Sequence, residues 1–412
     1  MYYLTGKDNL IENLTEDFVY NIKTVYREDT MKKNTKDAGL DYLKAAGIKA
    51  ARDRNAIRNN LEAEFGQKEA DKFLKEFYDL CKKGDDKSYD YKNSDYKKSL
   101  ILTGGFDADI IRKCCNWVKE NENSFGKRIL DVGCDCGLMT CFLGMAFPDA
   151  EILSIDREKN GIKVAEELAE NLGVKNITFR IKELSELEED GFDTVFSMRT
   201  AIENGECSED MSNGFMKQAD LFKTALSEYG KLLASKVKDG GKLITIENTG
   251  KDTFLTGWLE VLYEAGLTGD VNDYKEILCS EVGETVDYQA FVMTKKQPEE
   301  SGTDFFLKVL EKTGDFKYGI FTGWNAKLIY ETQKGELLEG FKVSGAGAAA
   351  ESIFALMSVK NDPDRLIFYQ NHEGEAAVQI DSTAKRGEID RIMKDCLESA
   401  KKYPSLNIEM LQ

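Results

Sequence analysis

Positive charge is short in this chain of 412 residues: 56 Lys and Arg stand against 74 Asp and Glu, for a net charge of −18. Nucleic-acid binding rests on clustered Lys and Arg, so a phosphate-backbone partner is not expected. No apolar run approaches the roughly 18 residues of a membrane span, and the start, MYYLTGKDNL, lacks the apolar core of a secretion signal. A cytoplasmic location without membrane attachment is the expectation. Nine cysteines are present but no Cys-x-x-Cys pair, so they read as reduced thiols. Cys114, Cys115, Cys134, Cys136 and Cys141 are close in sequence, yet two of them lie in a glycine turn, and small packing residues explain them better than metal ligands; no metal is expected. The single histidine, His372, falls in a turn near the C-terminus and reads as a turn residue.

What the chain does have is one highly organised stretch, Arg128 to Glu158. Ile129 to Val132 is an apolar run fit for a strand buried on both faces, and Gly133 breaks it. Gly137 opens a helix whose Leu138, Cys141, Phe142 and Met145 recur at helical spacing until Pro148. A second strand, Glu151 to Ile155, closes on Asp156. In such a β-α-β unit a bare turn lets a ligand lie against backbone, and an acid ending the second strand can accept from both hydroxyls of a ribose. A nucleoside-containing cofactor follows.

Glycine spacing narrows the cofactor. A dinucleotide fingerprint wants G-x-G-x-x-G, but counting from Gly133 the second and third places hold Asp135 and Leu138. The same residues fit acid-x-Gly-x-Gly-x-Gly better, filled by Asp131, Gly133, Asp135 and Gly137, with Asp135 standing where the pattern has its middle glycine. This resembles motif I of the class I S-adenosylmethionine-dependent methyltransferases. Later landmarks extend the resemblance: Glu183 ending a third strand at Ile177 to Ile181, the FDTVFSM strand Phe192 to Met198, the K-D-G-G turn before a strand at Lys242 to Glu247, and a final alternating pair at Tyr274 to Val282 and Thr285 to Thr294. Together they cover residues 110–296 and imply an α/β fold with a seven-stranded, mostly parallel sheet in the order 3-2-1-4-5-7-6.

The resemblance also implies a site. Asp131, Gly133, Cys134, Asp135 and Gly137 would form the cofactor turn, with Asp156 and Arg157 at the ribose, Glu183 and Leu184 at the adenine, and Ser197 and Met198 beside the methionine part. Arg199, Glu203 and Asn204 would face the substrate. The implied activity is methyl transfer from S-adenosylmethionine to a small or medium-sized molecule or a peptide. The Ser197-Met198-Arg199-Thr200 run lacks the motif associated with methylation of exocyclic base amines. A scaffold protein that binds the cofactor without catalysis is the alternative, and a nicotinamide-dependent oxidoreductase is a third.

Around this centre the pattern is helical from Asn9 to about Lys82, in a first stripe of Leu10, Leu14, Phe18, Ile22 and Val25 and a second of Leu40, Leu43, Ile48, Ile57, Leu61 and Phe65. Residues 82–98 have the composition of a polar linker, although Tyr89, Tyr91 and Tyr96 leave open that the segment folds over the pocket when cofactor binds. Three domains are expected: 1–98, 99–297 and 298–412. The last reads as an α+β domain of duplicated ββα units, strands beginning at Leu328 and Leu366 and helices at Ala348 to Val359 and Ile389 to Ala400, with edges that could pair into a homodimer.

Overall fold

The computed structural model describes residues 37–83, 87–205, 207–345, 351–372 and 374–412. The first expected helix, Leu10 to Val25, lies outside them. Residues 38–412 form one compact unit.

Among the described residues, six α-helices precede the first strand: α1 (Ala38–Ala45), α2 (Arg54–Phe65), α3 (Gln67–Lys82), α4 (Lys87–Lys92), α5 (Tyr96–Phe106) and α6 (Ala108–Glu120). The stripe expected from Leu40 to Phe65 is thus split, with Ile48 in the connection. Asp53 caps α2 by accepting from the Ala56 N–H at 2.9 Å, and Gly66, at φ 82°, turns α2 into α3. Ile57, Leu61, Ala70, Phe73, Leu74, Phe77 and Leu102 close into a core of their own. The segment 82–98 is corrected: instead of a solvated linker it forms α4 and the start of α5, with Lys92 7% and Asn93 2% exposed. Its Asp90, Lys92 and Asn93 find polar partners within the protein.

The central sheet comprises β1 (Arg128–Val132), β2 (Glu151–Asp156), β3 (Ile177–Ile181), β4 (Phe192–Met198), β5 (Val237–Glu247), β6 (Leu267–Gly269), β7 (Lys275–Glu281) and β8 (Glu284–Lys295). Its order is β3-β2-β1-β4-β5-β8-β6, with β7 also on β8. β1 to β5 run parallel, and β8 is antiparallel to β5, pairing Lys242 with Thr294. The expected order holds with one addition. The strands expected sixth and seventh are β7 and β8, and the short β6 shares the outer edge of β8 with β7, giving eight strands rather than seven. Gly240, at φ 72°, forms a bulge within β5 instead of a turn before it.

Alternate residues of these strands enter different cores, as a sheet covered on both faces requires. Ile129, Ile152, Phe196 and Ile244 pack with α6, α7 (Leu138–Ala146) and α8 (Lys159–Leu172). Leu130, Leu153, Val195 and Leu243 pack with α10 (Phe215–Lys236) and α11 (Thr253–Glu264), which follow the one-turn α9 (Ala201–Asn204).

The C-terminal part adds α12 (Gly302–Thr313), β9 (Gly319–Thr322), α13 (Gly323–Gln333), β10 (Lys334–Gly345), β11 (Glu351–Val359), β12 (Asp362–His372), β13 (Glu375–Ser382), α14 (Arg386–Lys401) and β14 (Leu406–Met410). Its strands make an antiparallel sheet, β14-β10-β11-β12-β13-β9. The duplicated ββα reading is corrected. The second unit matches β12, β13 and α14, but Leu328 and Ile329 lie in helix α13, and Glu351–Val359 is a strand. That strand sends Leu356 to the core under α14 and Ala355, Met357 and Val359 to the core shared with the central sheet. With both faces covered its apolar run has no outward polar residues to mark period two.

Candidate active site

The turn after β1 is built on left-handed backbone at Gly133 (φ 72°), Asp135 (φ 47°) and Gly137 (φ 75°). Glycine is required at two of these places. A Cβ at Gly133 would lie 2.6 Å from Thr200 Cγ2, and one at Gly137 2.5 Å from Ala165 Cβ. Asp can occupy the third, since short polar side chains tolerate this region. Its carboxylate accepts from Asn93 Nδ2 at 2.5 Å and pairs with the Lys92 ammonium, while Asn93 Oδ1 accepts from Ser99. Burial pushes the Asp135 carboxyl up, but Lys92 and Asn93 outweigh it and hold it below the ordinary carboxylate value. The acid in the turn is neutralised by the segment that covers it.

Asp156, at the end of β2, accepts from the Asp135 N–H at 2.7 Å and the Glu158 N–H at 2.8 Å, and burial raises its carboxyl. Each carboxylate oxygen has a second acceptor position. Asp131, 2% exposed, accepts from the Thr140 hydroxyl, and burial pushes its carboxyl up to about 7.

Arg199, just after β4, has left-handed φ (63°) and donates its backbone N–H to Ile246 O at 2.8 Å. Its guanidinium reaches Asp107 at 2.6 Å. The Glu203 carboxyl on α9 is raised by burial, which the nearby Tyr89 of α4 and Arg157, 3.8 Å away, partly offset. These groups enclose a cavity of about 560 Å³, within the range of small-molecule sites. Its floor is the turn, Asp156 and Met198; its other wall comes from the N-terminal helices, through Arg54, Phe77, Tyr78, Tyr89 and Phe106.

Of the expected residues, Asp131, Gly133, Cys134, Asp135, Asp156, Arg157, Met198, Arg199 and Glu203 line this cavity. Five do not. Gly137 packs beneath the turn against Ala165, and Leu184 is buried in the core. Ser197 bonds within the interior to Thr200, whose hydroxyl also accepts from Tyr229 at 2.5 Å. Asn204 donates to Thr200 O at 2.8 Å. Glu183 is exposed and caps a short turn, exchanging hydrogen bonds with Glu186. Sequence reasoning missed Lys92, Asn93 and Asp107. A signal was present: an acid placed in a cofactor turn calls for a nearby cation, and Lys92-Asn93 is embedded in the polar stretch taken for a linker. His372 is the last residue of strand β12 rather than a turn residue, and bonds Ser352 of the neighbouring strand at 2.7 Å.

Residues 123–262 match the family model of a methyltransferase domain. No curated protein matches the chain. Among solved structures, the chain is similar to the magnesium protoporphyrin IX methyltransferase of Synechocystis PCC 6803 with bound SAM, at 17% identity over 44% of this chain and 76% of that one, with a TM-score of 0.32. It is also similar to the [4+2]-cyclase SpnF (17% identity, 45% and 81% covered, TM-score 0.34). A third is a SAM-dependent O-methyltransferase from Thermotoga maritima (14% identity, 46% and 67% covered, TM-score 0.31). The family match over residues 123–262, the strand order and the left-handed turn after β1 agree with the fold that the class I methyltransferase resemblance implies.

Proposed function

We propose that the cavity binds S-adenosylmethionine and directs its methyl group to a small or medium-sized acceptor. The observation that carries this reading is Asp156: its carboxylate faces the cavity at the end of β2 with acceptor capacity left beyond its two backbone bonds. Asp156 would hold the ribose hydroxyls, the backbone of 133–135 would lie along the cofactor, and Met198 would flank its methionine part. Asp135, already paired with Lys92, presents no free negative charge to it. The bound cofactor supplies a methyl group on an activated sulfonium, so the protein's task is alignment and exclusion of water.

The N-terminal helices supply that exclusion by walling the cavity opposite the turn. Where the acceptor must lose a proton, Glu203 is placed to take it, since burial raises its carboxyl above the ordinary carboxylate value. Exchanging Asp156 for Ala tests the assignment, because charge-assisted hydrogen bonds contribute roughly 1.5–3 kcal/mol each. Calorimetry should show S-adenosylmethionine binding weakened at least tenfold in a folded variant. Undiminished affinity would mean that the ribose lies elsewhere.

A further inference from the structure

We infer that the acceptor is a planar, aromatic-sized molecule carrying a carboxylate or comparable anionic group, gripped by Arg54, Phe77, Tyr78 and Phe106; this rests on the methyl-transfer reading of the same cavity. Four cations line the cavity, and three are answered by acids. Lys92 pairs with Asp135, Arg199 with Asp107 at 2.6 Å, and Arg157 with Glu158 at 3.6 Å and Glu203 at 3.8 Å. Arg54 has no acid within salt-bridge distance among the described residues. The adjacent Asp53 spends its carboxylate on capping α2. The Arg54 guanidinium instead lies over the Tyr78 ring, 5.5 Å from its centroid. A cation held on an aromatic face at the rim of a cavity is a ready partner for an incoming anion.

The wall below it is aromatic. The Phe77 ring sits 5.5 Å from that of Tyr78 and 6.1 Å from that of Phe106, and all three residues line the cavity. Tilted by 55° and 54° to one another, these rings offer edge and face contacts to an aromatic ligand. Tyr78 adds a third feature: its hydroxyl oxygen is buried yet has no hydrogen-bond partner among the described residues. Buried hydroxyls are nearly always partnered, so an orphan at the cavity wall points to a polar atom brought in by a ligand. Cation, aromatic wall and orphan hydroxyl along one cavity describe an aromatic acid. Of the acids lining the cavity, Asp107, Asp135, Glu158 and Glu203 each face a cation, Glu281 accepts from Tyr288 and Asp131 from Thr140, and Asp156 is assigned to the ribose of the cofactor.

The test is titration of the full chain, saturated with S-adenosylhomocysteine, with a panel of hydroxybenzoic acids and their amides, followed by ligand-observed NMR. At least one acid should bind ten or more times more tightly than its amide. Arg54→Gln should abolish that preference while leaving S-adenosylhomocysteine affinity unchanged, and Tyr78→Phe should weaken acid and amide alike. If no acid binds, or acids and amides bind equally, the inference is wrong and the cofactor reading stands. If the unaltered protein fails to bind S-adenosylhomocysteine, the cofactor reading falls and takes the inference with it.

Discussion

Asp135 is the residue on which the turn after β1 depends. Its backbone does what a glycine would do, and its side chain is held by a cation and an amide from another element. Removing Lys92 alone leaves a carboxylate without its main partner, so Lys92→Met should cost about 1–3 kcal/mol. Restoring glycine with Asp135→Gly in the same chain should return most of it. A double-mutant cycle read by chemical denaturation checks this, and additive losses would show that the pair is not coupled. Glu247 makes a different prediction. It is 1% exposed at the end of β5, and burial pushes its carboxyl up to about 8 from an ordinary 4.5. The folded state therefore keeps a proton that the unfolded state has released, so the stability linked to this group falls as pH rises through that interval. Glu247→Gln should melt with a shallower pH dependence between pH 5 and pH 8; an unchanged slope would contradict the assignment. At this scale the positions of Asp131, Gly133 and Asp156 beside the cavity were legible from spacing along one β-α-β unit, whereas Gly137 packs beneath the turn. Glu183 was misplaced, since the end of a strand locates a residue but not the direction of its side chain.

Among the elements, α4 and α13 couple parts of the chain that composition sets apart. α4 delivers Tyr89 and Lys92 to the cavity, and its Asp90 accepts from the Asn160 backbone N–H at 3.1 Å near the start of α8. If cofactor and this helix share the turn, bound S-adenosylmethionine should slow hydrogen exchange across residues 87–95, and equal exchange with and without it would count against that. Glu331 of α13 accepts from the Phe215 and Met216 N–H groups at 2.6 and 2.9 Å, capping the long helix α10 from outside its own segment. Glu331→Ala should cost about 1–2 kcal/mol in a thermal or denaturant melt. The parallel strands were legible because each alternates with an amphipathic helix. The C-terminal strands were less so: β11 is covered on both faces, and α13 shows an apolar Leu328-Ile329 pair that reads equally well as a strand. The polar stretch 82–98 misled for the converse reason, because composition cannot reveal that charges have internal partners.

Across the whole molecule one core joins the central sheet to the C-terminal part. Phe305, Phe306, Val309 and Leu310 of α12 are buried with Trp258, Leu259, Leu262 and Met293. A chain ending at Gln297 would expose that apolar surface, so it should lack a cooperative unfolding transition; a melt with the midpoint of the full chain would show that the sheet stands alone. The net charge of −18 bears on long-range attraction of partners, whereas the cavity's own pairing leaves Arg54 as its unanswered cation among the described residues. The central claim is that the turn, Asp156 and the helical wall form a methyl-donor site. Calorimetric titration of the full chain with S-adenosylmethionine, S-adenosylhomocysteine and NAD, side by side, tests it most directly. Binding of the first two without NAD is the predicted result; binding of NAD, or of none of the three, would contradict the account.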